Sequence, residues 1–263
     1  MRKMSNHADL PTTKENTEQD FSSNVLDQAI NDENCTLSTH ESLPDTKNKL
    51  CLVLDLDNTL LHSVAKDALF PKEKYLKSQP PSDSLFKSKF MITKLRPYVG
   101  KFLEEVSSMY ELYVYTMSKR SYAEDMVKIL DPGKRYFGTR VISRDESTRK
   151  EKKDLGLVQA PKNRVIILDD RKDVWDKDKE NLIVIDRYDY FVESRPSTKQ
   201  HVMSFAELKK DESETDGALA RVLEVLRQVH QAFFSSEEDD NKKDVRELLK
   251  THYHNKELLS VSK

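Results

Sequence analysis

Residues 50–63 read LCLVLDLDNTLLHS: five apolar residues, Leu50 to Leu54, that turn acidic at Asp55. A continuous apolar run this short has no wet face. It reads as a strand buried on both sides in a parallel sheet. The pattern returns in ELYVYT (111–116), NRVIILDD (163–170) and NLIVID (181–186), with weaker strand signals in FMITKL (90–95) and RVIS (140–143). Helical spacing fills the gaps. RPYVGKFLEEVSSM (96–109) carries Pro97 near a first turn, where its missing N–H is tolerated. Lys119–Leu130 places Tyr122, Met126, Ile129 and Leu130 on one side. Leu219, Val222, Leu223, Leu226, Val229 and Phe233 form the apolar face of a helix over 217–234. Strands alternating with helices predict an α/β domain with a mostly parallel sheet, whose site lies outside the carboxyl ends of the strands.

Composition removes several classes of function. Of 263 residues 34% are charged and 37% hydrophobic, yet the net charge is only −2, so no global basic field invites nucleic acid or an acidic membrane. No apolar run approaches the roughly 20 residues that span a bilayer, and the N-terminal residues lack the apolar core of a secretory signal. Two cysteines, Cys35 and Cys51, support neither a disulfide framework nor a cysteine-rich zinc module. Glycine-rich nucleotide-binding fingerprints are missing. The expectation is a soluble intracellular monomer that contacts neither membrane nor nucleic acid directly. Residues 1–47 read as a disordered acidic arm with at most a short helix near Val25–Ile30, 48–234 as the catalytic domain, and 235–263 as a charged tail with a surface helix at 243–259. Residues 64–89, rich in Lys, Ser and Pro, read as a long loop or insertion.

The strand ends carry the chemistry. After the first strand come Asp55, Asp57 and Thr59; after the second, Thr116; after the third, Asp169 and Asp170. Alternation along an extended segment lets Asp55 and Asp57 point the same way. Each feature alone has a plainer reading: solvated acids at a strand end, or Thr59, Thr116 and the Asp pair as helix caps. Together, three strands deliver hard oxygen donors to one edge, the kind of set that suits magnesium with its retained waters and phosphate oxygens. An anionic substrate there also needs a lysine or arginine.

LVLDLDNTLLHS (52–63), YVYTMSKRSYA (113–123), KKDLG (152–156) and VIILDDRKDVW (165–175), in that order, resemble the haloacid dehalogenase superfamily of aspartate-nucleophile phosphatases. Within it the chain looks like the eukaryotic phosphatases of the RNA polymerase II C-terminal domain, close to plant members of the TFIIF-associating type. The resemblance covers about residues 48–234. It implies an α/β Rossmannoid parallel sheet flanked by helices, with a small insertion cap after the first strand. It also implies Asp55 as nucleophile, Asp57 as general acid and base, and Thr59 as a residue orienting Asp57 or its turn. Thr116 would be a phosphoryl-oxygen donor and Lys153, rather than Lys152, the charge-neutralising lysine. Mg2+ would be held by Asp55, Asp170 and the Asp57 carbonyl, with Asp169 holding Lys153 or a metal-bound water.

Such relatives usually carry a BRCT domain after the catalytic part. Only 29 residues follow Phe234, which leads us to expect none here. The implied reaction is dephosphorylation of serine or threonine in the phosphorylated polymerase C-terminal domain, in the nucleus. A small-molecule phosphatase of the same superfamily and a catalytically silent phosphopeptide adaptor are the rival readings. Arg96, Arg120, Trp175 and His62 lie near these motifs. Arg96 reads as a phosphate contact or the partner of a surface acid, Trp175 as packing, and His62 as a structural residue at a helix start.

Overall fold

A computed structural model of the chain describes residues 48–254 apart from 148, 150, 193–202, 238 and 240–241. The arm expected over 1–47, its short helix near Val25–Ile30, and the end of the tail lie outside the described residues.

The central sheet holds β1 (Leu50–Leu54), β5 (Tyr110–Tyr115), β6 (Val141–Ile142), β7 (Val165–Asp169) and β8 (Leu182–Val184) in the order β6-β5-β1-β7-β8. Every neighbouring pair is parallel. The chain therefore winds outward from β1 in one direction and then returns to its other side, and the end of β1 is the switch point where such sheets bind ligands. All five residues of β1 are buried, as its unbroken apolar run predicts. Cys51 and Val53 pack on one face with Tyr113, Tyr115, Val165 and Ile167, beneath Leu155, Val158, Val174 and Trp175. Helices α1 (Val99–Met109), α2 (Arg120–Leu130) and α4 (Ala218–Ser235) form where the sequence places helices; the α4 set from Leu219 to Phe233 is buried, whereas α2 buries Ala123, Met126 and Leu130 and leaves Tyr122 and Ile129 half-buried. Pro97 stands one residue ahead of the α1 cap, Tyr98, whose φ of 71° is left-handed.

The segment after Asp57 departs from the helix start expected at His62. Asn58 takes a left-handed φ of 62°, and Thr59, Leu60 and Leu61 all donate backbone N–H to the Leu56 carbonyl, a tight turn that leads into a strand. Residues 61–95 then form an antiparallel sheet of β2 (Leu61–Ala65), β3 (Leu85–Lys87) and β4 (Met91–Leu95), in the order β2-β4-β3. FMITKL is thus a strand, but of this cap and not of the parallel sheet, and the 64–89 segment is a built insertion with a 3-10 helix at Pro71–Lys77. His62 sits buried in β2, its Nδ1 accepting from the Phe191 N–H at 3.2 Å. The cap has its own core: Val64, Leu69, Leu76, Leu85 and Ile92 pack with Tyr188, Tyr190, Phe191 and Ala206. Buried Glu73 binds it down by accepting from the Val192 N–H and Ser204 Oγ, both at 2.8 Å. The helix α3 (Phe205–Leu208), capped by Ser204, was not legible in the sequence.

Packing continues past Phe234. The helix expected at 243–259 is the short α5 (Val245–Leu249) with a π turn to His254, and Val245 and Leu249 are fully buried against α4 and its surroundings. Two apolar residues four apart thus make a docked helix where charge alone suggested a surface one.

Arg96 pairs with an acid, the second of its two sequence expectations, but in the interior rather than at the surface. It is 1% exposed, and its guanidinium donates to the Thr59 and Asp186 carbonyls and to both carboxylate oxygens of Glu212, at 2.7 to 3.0 Å. It is a strut joining the first turn, the segment after β8 and the loop before α4. Removing one partner of a buried pair leaves the other uncompensated, roughly 3–5 kcal/mol. Arg96→Ala should lower the melting temperature by on the order of 10 °C, and Glu212→Ala added to it should recover part of that loss in thermal unfolding.

Candidate active site

Strand register brings the first two acids together. Leu54 pairs with Leu168, and the Asp55 N–H donates to the Leu168 carbonyl, so Asp55 and Asp169 end adjacent strands side by side. Both continue the odd-numbered positions of their strands, the face covered by Leu155 and Trp175. Lys153 enters on that face, its own N–H donating to the Val174 carbonyl. Its Nζ lies 2.6 Å from Asp55 Oδ1 and 2.6 Å from Asp169 Oδ2, and the lysine is 2% exposed. Trp175 Nε1 donates to the same Asp169 oxygen at 2.8 Å and the Arg171 N–H to the other. The Nζ also sits 5.7 and 5.6 Å from the Tyr115 and Trp175 ring centroids. Trp175, read from sequence as packing, is fully buried and also fixes the Asp169 carboxylate.

Asp170 turns the other way. Its N–H donates to Thr59 Oγ1 at 3.1 Å, and Arg187 holds its Oδ2 at 2.7 Å. The Thr59 hydroxyl thus reaches Asp170, 3.4 Å away; of the two roles the resemblance implied, it holds the turn, tying it to the third strand, rather than Asp57. Thr116 is buried at the end of β5, where its Oγ1 accepts from the Ser118 N–H at 3.0 Å. The α2 cap is Lys119, so Thr116 is not that helix's cap. Asp57 is half-buried, and both its oxygens accept from hydroxyls: Ser118 Oγ at 2.9 Å and Tyr122 Oη at 2.5 Å. Lys152, the alternative lysine, faces outward to the Asp173 carbonyl and Asp176. Arg120 is taken up by Glu146. Sequence reading passed over Ser118 and Arg187, and counted Tyr122 only as an apolar helix position. Their hydroxyl and guanidinium contacts span 61, 17 and 65 residues, with no local signal.

The electrostatics are unbalanced. Burial, then the Asp169 charge, push Asp55 well above the usual carboxylate range, with Lys153 pulling the other way. Burial, then Asp169, raise Asp170 as well, against Arg187. Burial works against the Lys153 ammonium, but Asp55 and Asp169 outweigh it and hold its proton more tightly than a lysine's usual value. Oxygens of Asp55, Asp169 and Asp170 lie within 4.8 Å of one another. A surplus of carboxylate, all hard oxygen, fits a divalent cation, which would relieve the repulsion that raises Asp55 and Asp170. A cavity of about 400 Å³ lined by Met117, Arg144, Ser147, Arg149, Glu151 and Arg171 borders this centre, since Met117 and Arg171 adjoin Thr116 and Asp170 in the chain.

The chain is 48% identical to RNA polymerase II C-terminal domain phosphatase-like 4 of Arabidopsis thaliana, over 78% of this chain and 49% of that protein. It is 39% identical to the Arabidopsis phosphatase-like 3, over 76% of this chain and 18% of that one. The chain thus spans about half the length, or less, of these relatives. Among solved structures, a variant of the fission yeast RNA polymerase II CTD phosphatase Fcp1, bound to beryllium fluoride, superposes with a TM-score of 0.60 at 25% identity, over 78% of this chain and 71% of that one. Among the described residues no helix is long and apolar enough to cross a membrane. The model of the NLI interacting factor-like phosphatases matches residues 50–246, three quarters of the chain and all of the sheet that carries Asp55, Lys153, Asp169 and Asp170, and the chain belongs to that family.

Proposed function

We propose that this chain is a magnesium-dependent protein serine/threonine phosphatase working through an aspartyl-phosphate, and that its substrate is the phosphorylated C-terminal domain of RNA polymerase II, in the nucleus. The observation that carries the reaction is the buried Lys153 ammonium, 2.6 Å from both Asp55 and Asp169, with Asp57 two residues beyond Asp55. The substrate class rests on the names of the relatives and on the form of the cleft. The cap is a three-stranded sheet too small to enclose a metabolite, and three arginines line the bordering cavity, which suits an extended anionic peptide.

In this reading Asp55 attacks phosphorus, forming an O–P bond as the seryl O–P bond breaks, and Asp57 passes its proton to the departing seryl oxygen. Water then attacks the aspartyl-phosphate. Asp57 takes the proton from water, the Asp55 O–P bond breaks, and phosphate leaves with both aspartates restored. Lys153 offsets charge on the transferring group at its largest, in the transition state. Thr116 spends a lone pair on the Ser118 N–H and keeps its proton for a phosphoryl oxygen. Mg2+, held by Asp55, Asp170 and the Asp57 carbonyl, would supply electrostatic stabilisation of phosphoryl oxygens and shield the nucleophile from substrate charge. Asp169 orients Lys153, and Thr59 orients Asp170.

Asp55→Asn keeps shape but removes the attacking charge. Hydrolysis of singly phosphorylated heptad peptides should fall by roughly 10⁴-fold or more, with the melting temperature maintained. The wild-type chain should turn over those peptides at least tenfold more efficiently than sugar phosphates, on the order of one extra subsite contact. Preference for sugar phosphates would replace the protein substrate with a metabolite.

Lys153→Ala should lower kcat more than it raises KM, while Lys152→Ala, which loses only exposed contacts, should stay near wild type in steady-state assays. The reverse ranking would move the charge-neutralising role to Lys152. Calorimetric titration should show Mg2+ binding that weakens by at least tenfold in Asp170→Ala, the scale of one lost ligand. Undiminished affinity would place the cation elsewhere.

A further inference from the structure

Asp57 is joined to the cap by a run of hydroxyls. Tyr122 Oη lies 2.5 Å from Asp57 Oδ1 and 2.9 Å from Ser63 Oγ, and Ser63 Oγ lies 2.8 Å from Thr93 Oγ1. Ser63 and Thr93 face each other across β2 and β4, whereas Tyr122 comes from α2. A phenol has one proton. With that proton given to the Asp57 carboxylate, the order is fixed: Thr93 donates to Ser63, Ser63 to Tyr122, Tyr122 to Asp57. Met126 Sδ lies at the far end of the run, 3.7 Å from Ser63 Oγ and 3.8 Å from Thr93 Oγ1. Ser118 Oγ donates to the other Asp57 oxygen at 2.9 Å, so both carboxyl oxygens are held by hydroxyls.

We propose that Tyr122, backed by Ser63 and Thr93 of the cap sheet, is a positioning residue that holds the Asp57 carboxyl toward the leaving oxygen. This inference rests on the reading of Asp57 as general acid and base. A carboxyl on a two-torsion side chain has several staggered positions, and a group that must meet one oxygen in the transition state loses rate in each of the others.

The test uses the full chain and two substrates. A phosphoserine peptide has a poor alkoxide leaving group that needs the proton; p-nitrophenyl phosphate has a good one that scarcely does. Tyr122→Phe should lower kcat/KM on the phosphopeptide by about 10- to 100-fold, a fraction of the 10²–10⁴ that general acid catalysis supplies, and on the aryl phosphate by less than about threefold. Its effect on the peptide should fall on kcat and leave KM nearly unchanged. Ser63→Ala should show the same split, smaller, and serves as the second variant should Tyr122→Phe fold poorly in thermal unfolding. Equal losses on both substrates, or none on either, would overturn the positioning role. Asp57→Asn is the control: it should show the split in its largest form. Should Asp57→Asn spare the phosphopeptide, the acid–base assignment fails; should it lose the phosphopeptide while Tyr122→Phe and Ser63→Ala do not, only the Tyr122 inference fails.

Discussion

Two carboxylates, Asp55 and Asp169, end adjacent buried strands, and one buried ammonium, Lys153, lies 2.6 Å from each. Buried charges are tolerable only when paired and hydrogen-bonded, so the rest of this part of the molecule is arranged around that requirement. Trp175 and the Arg171 N–H complete the hydrogen bonds of Asp169. Leu155, Val158, Val174 and Trp175 close the sheet face below, and the bond from the Lys153 N–H to the Val174 carbonyl joins the two stretches that carry them. Two carboxylates against one ammonium leave a surplus of negative charge, beside which stands Asp170, paired with Arg187. This surplus makes the edge of the sheet a place for a cation.

The cap stands in a different relation to the site. It supplies no carboxylate, and its core is shared with Tyr188, Tyr190 and Phe191 rather than with the central sheet. Its attachments are polar and buried: Glu73 on Val192 and Ser204, Lys94 on Asp211, and Arg96 on Glu212. Directional bonds of this sort fix orientation more than they add stability, because each replaces bonds to water. The consequence reaches the chemistry, since Ser63 and Thr93 of the cap lie on the hydroxyl run that ends at Asp57. A small antiparallel sheet thereby reaches Asp57 through the Tyr122 hydroxyl.

What the sequence determined by itself is whatever depends on short range. Unbroken apolar runs located β1, β5, β7 and β8, because a strand buried on both faces rarely admits a polar residue. The 3.6-residue spacing located α2 and α4, and Pro97 near a first turn marked α1. Alternating wound strands put Asp55, Asp57, Thr116, Asp169 and Asp170 at one edge, and the resemblance in KKDLG picked out Lys153 from Lys152. Only the tertiary structure decided the contacts between distant segments. Thr59 turned toward Asp170, Arg96 became an internal strut, Tyr122 changed from an apolar helix position into the partner of Asp57, and residues 61–95 became a cap sheet in place of a helix start and a loop. The physical reason is common to all four. Local periodicity states which face of an element is buried, but the partner of a buried polar group is set by whichever segment the fold brings opposite it, here 37 to 116 residues away in the chain.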